Sequence, residues 1–178
     1  MTEWKTDISS SGEGSVVRGV DREDLMDMHF SDAIWLTLTG DKPSESESEV
    51  FRTILSSSID HGVGNPSTVS ARTIQSGGND MNTGVAGGIL ALGDSHGGAI
   101  EECMEILQSE EEPEEIVDHR LSNDQKIPGI GHKVYSDEDP RASKILEEAE
   151  LEDVAGKNVE KMKAIRSMFA ERKVDLVM

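Results

Sequence analysis

A mostly α-helical fold is what this sequence predicts, and three observations predict it. Apolar residues recur at spacings of three and four through most of the chain, the period of a helix with one buried face. Acidic residues, serine or proline stand ahead of these stretches and glycine stands behind some of them, as helix starts and stops require. No run alternates apolar and polar residues convincingly enough to read as a strand.

The elements follow in order. Met1 to Ser15 is polar and rich in serine and glycine, which predicts an extended or poorly ordered arm carrying little chemistry. Asp21-Arg22-Glu23-Asp24 offers a cap ahead of Leu25 and Met26, and Ser31 to Leu36 opens a second helix that stops near Gly40. Pro43 and a Ser/Glu repeat lead into a third helix, whose apolar positions Val50, Phe51, Ile54 and Leu55 run toward His61. From Ser67 to Leu92 small residues dominate. Gly77-Gly78, Gly84 and Gly87-Gly88 allow close backbone approach there, so buried helices joined by tight turns are expected. Helices over Ala99 to Leu107 and Pro113 to Leu121 come next, then a loop over Ser122 to Tyr135. Asp139-Pro140 starts a helix that includes Arg141, because proline suits a first helical turn. Lys157 to Lys173 reads as the last helix, with Val159, Met162, Ile165, Met168 and Phe169 on one face.

Composition excludes some function classes. Among 178 residues, 36 are acidic and 17 basic, giving a net charge of −19 that repels nucleic acid and anionic membrane. Acidic runs such as Glu45-Ser46-Glu47-Ser48-Glu49 and Glu110-Glu111-Glu112 are spread along the chain. They read either as ordinary solvated faces or as an adaptation to high salt, where screening weakens self-repulsion. The lone Cys103 excludes an internal disulfide, and its register with Ile100, Met104 and Leu107 places it in packing. No apolar run approaches the roughly 20 residues of a membrane span, and no basic-then-apolar leader opens the chain. A soluble, cytoplasmic protein is expected.

Three glycine-rich turns each carry a histidine: Asp60-His61-Gly62-Val63-Gly64-Asn65, Gly93-Asp94-Ser95-His96-Gly97-Gly98 and Pro128-Gly129-Ile130-Gly131-His132. Glycine lets backbone and imidazole approach a ligand closely, so three such turns suggest one pocket. His29 and His119 lack that setting, sit within helical stretches, and are set aside. Zinc is the weaker alternative, since no His-x-x-x-His or Cys-x-x-Cys spacing is present, and no metal is expected.

At these residues the chain resembles the citrate synthase family, with its citryl-CoA-cleaving relatives, the citryl-CoA lyases and the synthase-like end of ATP-citrate lyase. The resemblance runs from Arg18-Gly19-Val20 and Ala33 to Pro43 through the three histidine turns. Its most specific part is Gly129-Ile130-Gly131-His132-Lys133-Val134-Tyr135 followed by Asp139-Pro140-Arg141. It implies a citrate synthase-like fold, with a larger helical domain and part of a smaller one. With residues 1–15 as the arm, these would span 16–97 and 98–178, the site lying in a cleft between them.

The resemblance also implies roles. His61 and Asn65 match positions that bind the oxaloacetate or citrate end, with Ser67 helping to orient the site. His96 matches the histidine acting on the thioester oxygen of acetyl-CoA, His132 the one on the oxaloacetate carbonyl, and Arg141 the arginine on a substrate carboxylate. Ile127, Pro128, Gly129, Ile130 and Gly131 match the segment whose backbone lies against CoA. No tightly bound cofactor is implied; a CoA thioester is a substrate, and family members are typically homodimers.

The chemistry asks for the same residue types. Forming an enolate from a weakly acidic methyl group needs a hydrogen bond to the developing oxyanion, and an imidazole in a water-poor pocket supplies one. A dicarboxylate keto acid calls for an arginine fork and a donor to its carbonyl oxygen. Without the resemblance, Arg141 reads equally as a surface ion-pair partner of Asp137 or Asp139.

Three functions follow as expectations. Condensation of acetyl-CoA with oxaloacetate ranks first. Citryl-CoA cleavage is the alternative, favoured by Glu101 where many synthases have asparagine, and a non-catalytic CoA- or dicarboxylate-binding module is the second alternative. The family's general base is an aspartate just beyond an apolar stretch that Val174 to Met178 resembles, and Asp175 comes too early to match it. The chain is accordingly expected to be a C-terminally truncated form with little turnover of its own, because a positioned base contributes about 10²–10⁴-fold.

Overall fold

The structure is a computed structural model that describes residues 6–10, 15–60, 62–131 and 138–175, with side chains through Arg172. In chain order the elements are β1 (Val16–Val17), β2 (Val20–Asp21), α1 (Arg22–Met26), α2 (Phe30–Thr39), α3 (Glu45–Ser57), α4 (Pro66–Ser76), α5 (Met81–Leu90), α6 (Ala99–Gln108), α7 (Pro113–Ser122), α8 (Pro140–Leu151) and α9 (Lys157–Asp175). The mostly helical reading holds. Packing divides the chain into two compact units, Met1–Ile59 with Pro140–Val154, and Asp60–Asp139 with Ala155–Met178.

One correction concerns strands. Val16 pairs with Asp21 and Val17 with Val20 in a short antiparallel hairpin, whose loop residues Arg18 and Gly19 have φ of 49° and 78°. Positive φ at both loop positions matches the right-handed twist of a two-residue hairpin. Strands of two residues are too short to leave a period in the sequence. Part of the expected arm joins them: Arg18 donates its backbone N–H to Ile8 at 2.7 Å, and Ser10 to Val16 at 3.1 Å.

In the first unit, α2, α3 and α8 gather around Leu36, Val50 and Ala149, which are buried. Gly40 ends α2 in the left-handed conformation, φ 95°, where glycine carries no Cβ penalty. A reciprocal capping box starts α3: Ser44 Oγ accepts from Glu47 N–H at 3.2 Å, and Glu47 Oε2 accepts from Ser44 N–H at 2.8 Å. Trp35 meets Phe51 edge to face, with ring centroids 5.3 Å apart. His29 sits at the N-cap of α2 rather than within a helix. His119 is inside α7, as expected.

In the second unit, Ile116, Val117, Ile127 and Ile165 form the core, with Ile106, Leu107, Leu121, Ile130, Met168 and Phe169 packed against it. The predicted face of α9 thus buries Ile165, Met168 and Phe169 against α6 and α7. Helices α4 and α5 pair through glycines: a Cβ at Gly84 would meet Ala71 O at 3.2 Å, and one at Gly88 would meet Ser67 O at 3.2 Å. The expectation that both helices are buried is corrected. The glycine face of α5 is buried, but Met81, Val85, Ile89 and Leu90 on the same helix are exposed, because only the glycine stripe is small enough to seat against α4.

Candidate functional site

The turn that carries His96 is closed before α6 begins. His96 donates its backbone N–H to Gly93 at 2.8 Å and Gly93 returns one to His96 at 3.0 Å, leaving Asp94-Ser95 as a two-residue loop. Gly98 then donates to the same Gly93 carbonyl at 3.1 Å. Gly97 has φ of 103°, and a Cβ on Gly98 would fall 2.5 Å from Asp94 Cα. Each glycine therefore answers a backbone requirement, one of conformation and one of space.

The half-buried His96 ring is held from across the sequence. Its Nε2 lies 3.0 Å from Ser67 Oγ, 29 residues away. Ser67 Oγ donates to Asn65 Oδ1 at 2.7 Å. Asn65 caps α4: its Oδ1 accepts from Thr68 N–H at 3.0 Å and its Nδ2 donates to Gly62 O at 2.8 Å, which fixes the amide from both ends. Ser67 Oγ thus stands between Asn65 Oδ1 and His96 Nε2, and its one hydroxyl proton serves one of the two at a time. Asn65, Ser67 and His96 form one hydrogen-bonded chain anchored on backbone.

The loop from Ile127 to Gly131 is seated by its apolar members. Ile127 is buried in the core, Ile130 packs on it, and Ile130 N–H closes a turn to Ile127 O at 3.1 Å. Gly129 and Gly131 have φ of 80° and 95°. A Cβ on Gly129 would lie 2.8 Å from Cys103 Sγ, so the loop backbone presses onto α6 there. Burial pushes the Cys103 thiol above its ordinary range, which disfavours the thiolate and agrees with a packing role. Arg120 steadies the loop, donating to Lys126 O at 3.4 Å while pairing with Glu102 at 2.9 Å.

Between this loop and α6 is a cavity of about 880 Å³. All five residues from Ile127 to Gly131 line it, and so do Asp94 and Gly98 from the His96 turn. The structure therefore brings together, within the second unit, Asn65, Ser67 and His96 as one network, and the 127–131 loop with that turn as one cavity. Arg141 belongs to the first unit, half-buried in the first turn of α8. It lines a groove of about 540 Å³ with Arg52, Thr53, Ser56, Ser57 and Lys144. His61 and His132 lie outside the described residues. Among the described residues, no group of three His, Cys, Asp or Glu is placed to hold a metal ion.

Glu101, singled out in the sequence for another reason, lines the cavity, and sequence reasoning missed further wall residues: Glu102 and Glu105 of α6, Lys126, and Phe169 of α9. The spacing of Glu101 and Glu105 does place them on one helix face. Nothing local marks Phe169, which reaches the wall through the packing of α9.

Residues 6–174 match the family described as citrate synthase, C-terminal domain. The chain belongs to the citrate synthase family. Citrate synthase of Heyndrickxia coagulans is 37% identical over 128 residues, which cover 69% of this chain and 34% of that protein. The chain thus spans about a third of the length of that relative. The solved structure of citryl-CoA lyase from Hydrogenobacter thermophilus matches with a TM-score of 0.88 at 38% identity, covering 96% of this chain and 69% of that one. ATP citrate lyase of Methanothrix soehngenii, solved in complex with citrate and coenzyme A, matches with a TM-score of 0.87 at 22% identity, over 97% of this chain and 30% of that one. That last likeness is one of fold. For this member of the citrate synthase family, the His96 network and the loop cavity are the features on which a functional reading rests.

Proposed function

We propose that this chain supplies the CoA-binding and enol-stabilising part of a citrate synthase-type enzyme, which condenses acetyl-CoA with oxaloacetate and, with water cleaving the thioester, gives citrate and free CoA. One observation carries the reading: His96 is locked by Ser67 and Asn65 in a turn whose neighbouring residues, Asp94 and Gly98, line the same cavity as Ile127 to Gly131. In the reaction, proton removal from the acetyl methyl group builds negative charge on the thioester oxygen. A fixed imidazole beside that oxygen stabilises it without having to reorganise. Ser67 and Asn65 are positioning residues that set the ring's plane by holding Nε2, which leaves Nδ1 to donate to the thioester oxygen. The backbone of the 127–131 loop lies along CoA, His61 and Asn65 hold the dicarboxylate end, His132 donates to the keto oxygen, and Arg141 pairs with a carboxylate. No aspartate among the described residues is assigned the base.

A second reading is favoured by particular observations. Glu101 stands where many synthases carry asparagine, and the citryl-CoA lyase resemblance extends over 96% of this chain. Carbon–carbon cleavage of citryl-CoA uses the same groups in reverse. The substrates are acetyl-CoA with oxaloacetate in the synthase direction and citryl-CoA alone in the lyase direction, in a cytoplasmic setting. The exposed apolar residues Met81, Val85 and Ile89, spaced four apart along α5, support a homodimer, since exposed apolar side chains on one helix face suit an interface.

Calorimetric titration of the purified chain with CoA, and then with oxaloacetate or citrate, tests the reading. Binding of CoA together with one of the acids is expected, with His96→Ala leaving CoA binding in place. A chain that binds neither ligand refutes it. Direction is read by incubation with acetyl-CoA plus oxaloacetate, and separately with citryl-CoA, of a form that turns over. Free CoA released in the first mixture supports the synthase; cleavage confined to the second supports the lyase.

A further inference from the structure

The walls of the 880 Å³ cavity are chemically at odds with the ligand proposed for them. Coenzyme A carries a diphosphate and a 3′-phosphate, yet among the described residues four carboxylates line the cavity, Asp94, Glu101, Glu102 and Glu105, against one cation, Lys126. Arg120 compensates only Glu102, at 2.9 Å. The N-terminus of α6 would ordinarily draw a phosphate, but Glu101 and Glu102 occupy its first turn and offset that partial charge. The remainder of the wall, Ile127, Pro128, Ile130 and Phe169, is apolar and suits the pantetheine arm and the adenine face.

We infer that Glu101 and Glu105 set the affinity of this cavity for CoA by opposing its phosphates, so that CoA binds more tightly as ionic strength rises, with Lys126 as the fixed cation that positions a phosphate. This inference rests on the reading of the cavity as the CoA site. An ordinary phosphate site behaves in the opposite sense, because its cations are the groups that salt screens. Here the dominant fixed charges repel the ligand. The Debye length shrinks from about 10 Å at 0.1 M to about 3 Å at 1 M, below the width of such a cavity, and this removes repulsion from the four carboxylates more than it weakens the attraction to Lys126.

Equilibrium dialysis of the 178-residue chain with CoA, and with uncharged pantetheine, at 0.1 M and 1 M KCl tests this. The expected result is a rise in CoA affinity of roughly tenfold, the order of magnitude given by a few screened charge pairs. Pantetheine should change much less. Its binding at both salt concentrations also reports that the cavity is folded at each. Glu101→Gln with Glu105→Gln should bring low-salt affinity for CoA close to the high-salt value of the unaltered chain, and Lys126→Gln should weaken CoA but not pantetheine. CoA affinity that is flat or falls with salt overturns the inference while leaving the site reading intact. Pantetheine rising in parallel with CoA overturns it as well, since salt would then act on folding. CoA bound at neither salt concentration, by the unaltered chain or the Gln variant, overturns the CoA reading of the cavity and this inference with it.

Discussion

Replacing Gly98 by alanine tests how the His96 turn is built. The residue has φ −62° and ψ −24°, ordinary right-handed geometry, so its backbone alone would welcome a Cβ and gain about 0.4–1 kcal/mol through the unfolded chain. Space decides the opposite way. The added carbon would sit 2.5 Å from Asp94 Cα, 2.7 Å from Asp94 O and 2.9 Å from Asp94 C, all backbone atoms. Carbon atoms pack at about 3.5–4.0 Å, so the two segments must separate by about 1 Å. That movement strains Gly98 N–H to Gly93 O, now 3.1 Å, and the paired bonds between Gly93 and His96. Losing two such bonds at about 0.5–1.5 kcal/mol each costs about 1–3 kcal/mol, which matches the usual cost of overpacking. After the backbone gain is offset, the variant should be less stable by about 1–2 kcal/mol. Urea unfolding measures this as a lowered midpoint, and CoA titration should show weakened binding because Gly98 lines the cavity. Gly64→Ala is the control: nothing lies within 4 Å of its Cβ position and its φ is not in the left-handed region, so stability should stay within about 0.5 kcal/mol. A Gly98→Ala chain as stable as the parent, with unchanged CoA affinity, would refute the reasoning.

Three further outcomes are expected. Ser67→Ala removes the hydroxyl that holds His96 Nε2 and should lower stability by about 0.5–1.5 kcal/mol, with a shift in the His96 ring resonances seen by NMR; unchanged resonances would mean that Ser67 does not hold the ring. Ile165→Ala empties a 2%-exposed position in the second unit's core and should cost about 2–5 kcal/mol by urea unfolding, whereas a cost below 1 kcal/mol would mean that α9 does not anchor that core. At α3, hydrogen bonds from the Ser44 backbone and then its hydroxyl hold the Glu47 carboxyl below its usual range. Its stabilising effect is therefore full at neutral pH and fades as pH falls through the carboxylate range. Ser44→Ala should cost about 1 kcal/mol at pH 7, and Glu47→Gln should keep the box but remove its share of the acid-limb slope in a pH series of melting curves.

Much of the fold was legible because its signals are local. The Ser44–Glu47 box, Gly40 in the left-handed region, and proline at the starts of α4, α7 and α8 each act within one helical turn, so sequence reports them directly. The β-hairpin escaped because two residues per strand leave no alternation to detect. The burial of α4 and α5 was overestimated for a related reason: glycine content tells how closely two backbones approach, not what covers the other faces.

For the site, the sequence by itself determined the chemistry on offer: histidines in glycine turns, a Gly-Ile-Gly loop, an arginine after Asp-Pro, and the family to which such a string belongs. Only the tertiary structure decided which of these groups touch. Ser67 reaches His96 across 29 residues, and Asn65 holds Ser67 in turn. Phe169 and three glutamates of α6 join the loop as one wall. The physical reason is range. Caps and turns are satisfied by neighbours in sequence, whereas a hydrogen-bonded histidine and a cavity's charge depend on residues that packing alone brings within a few ångströms.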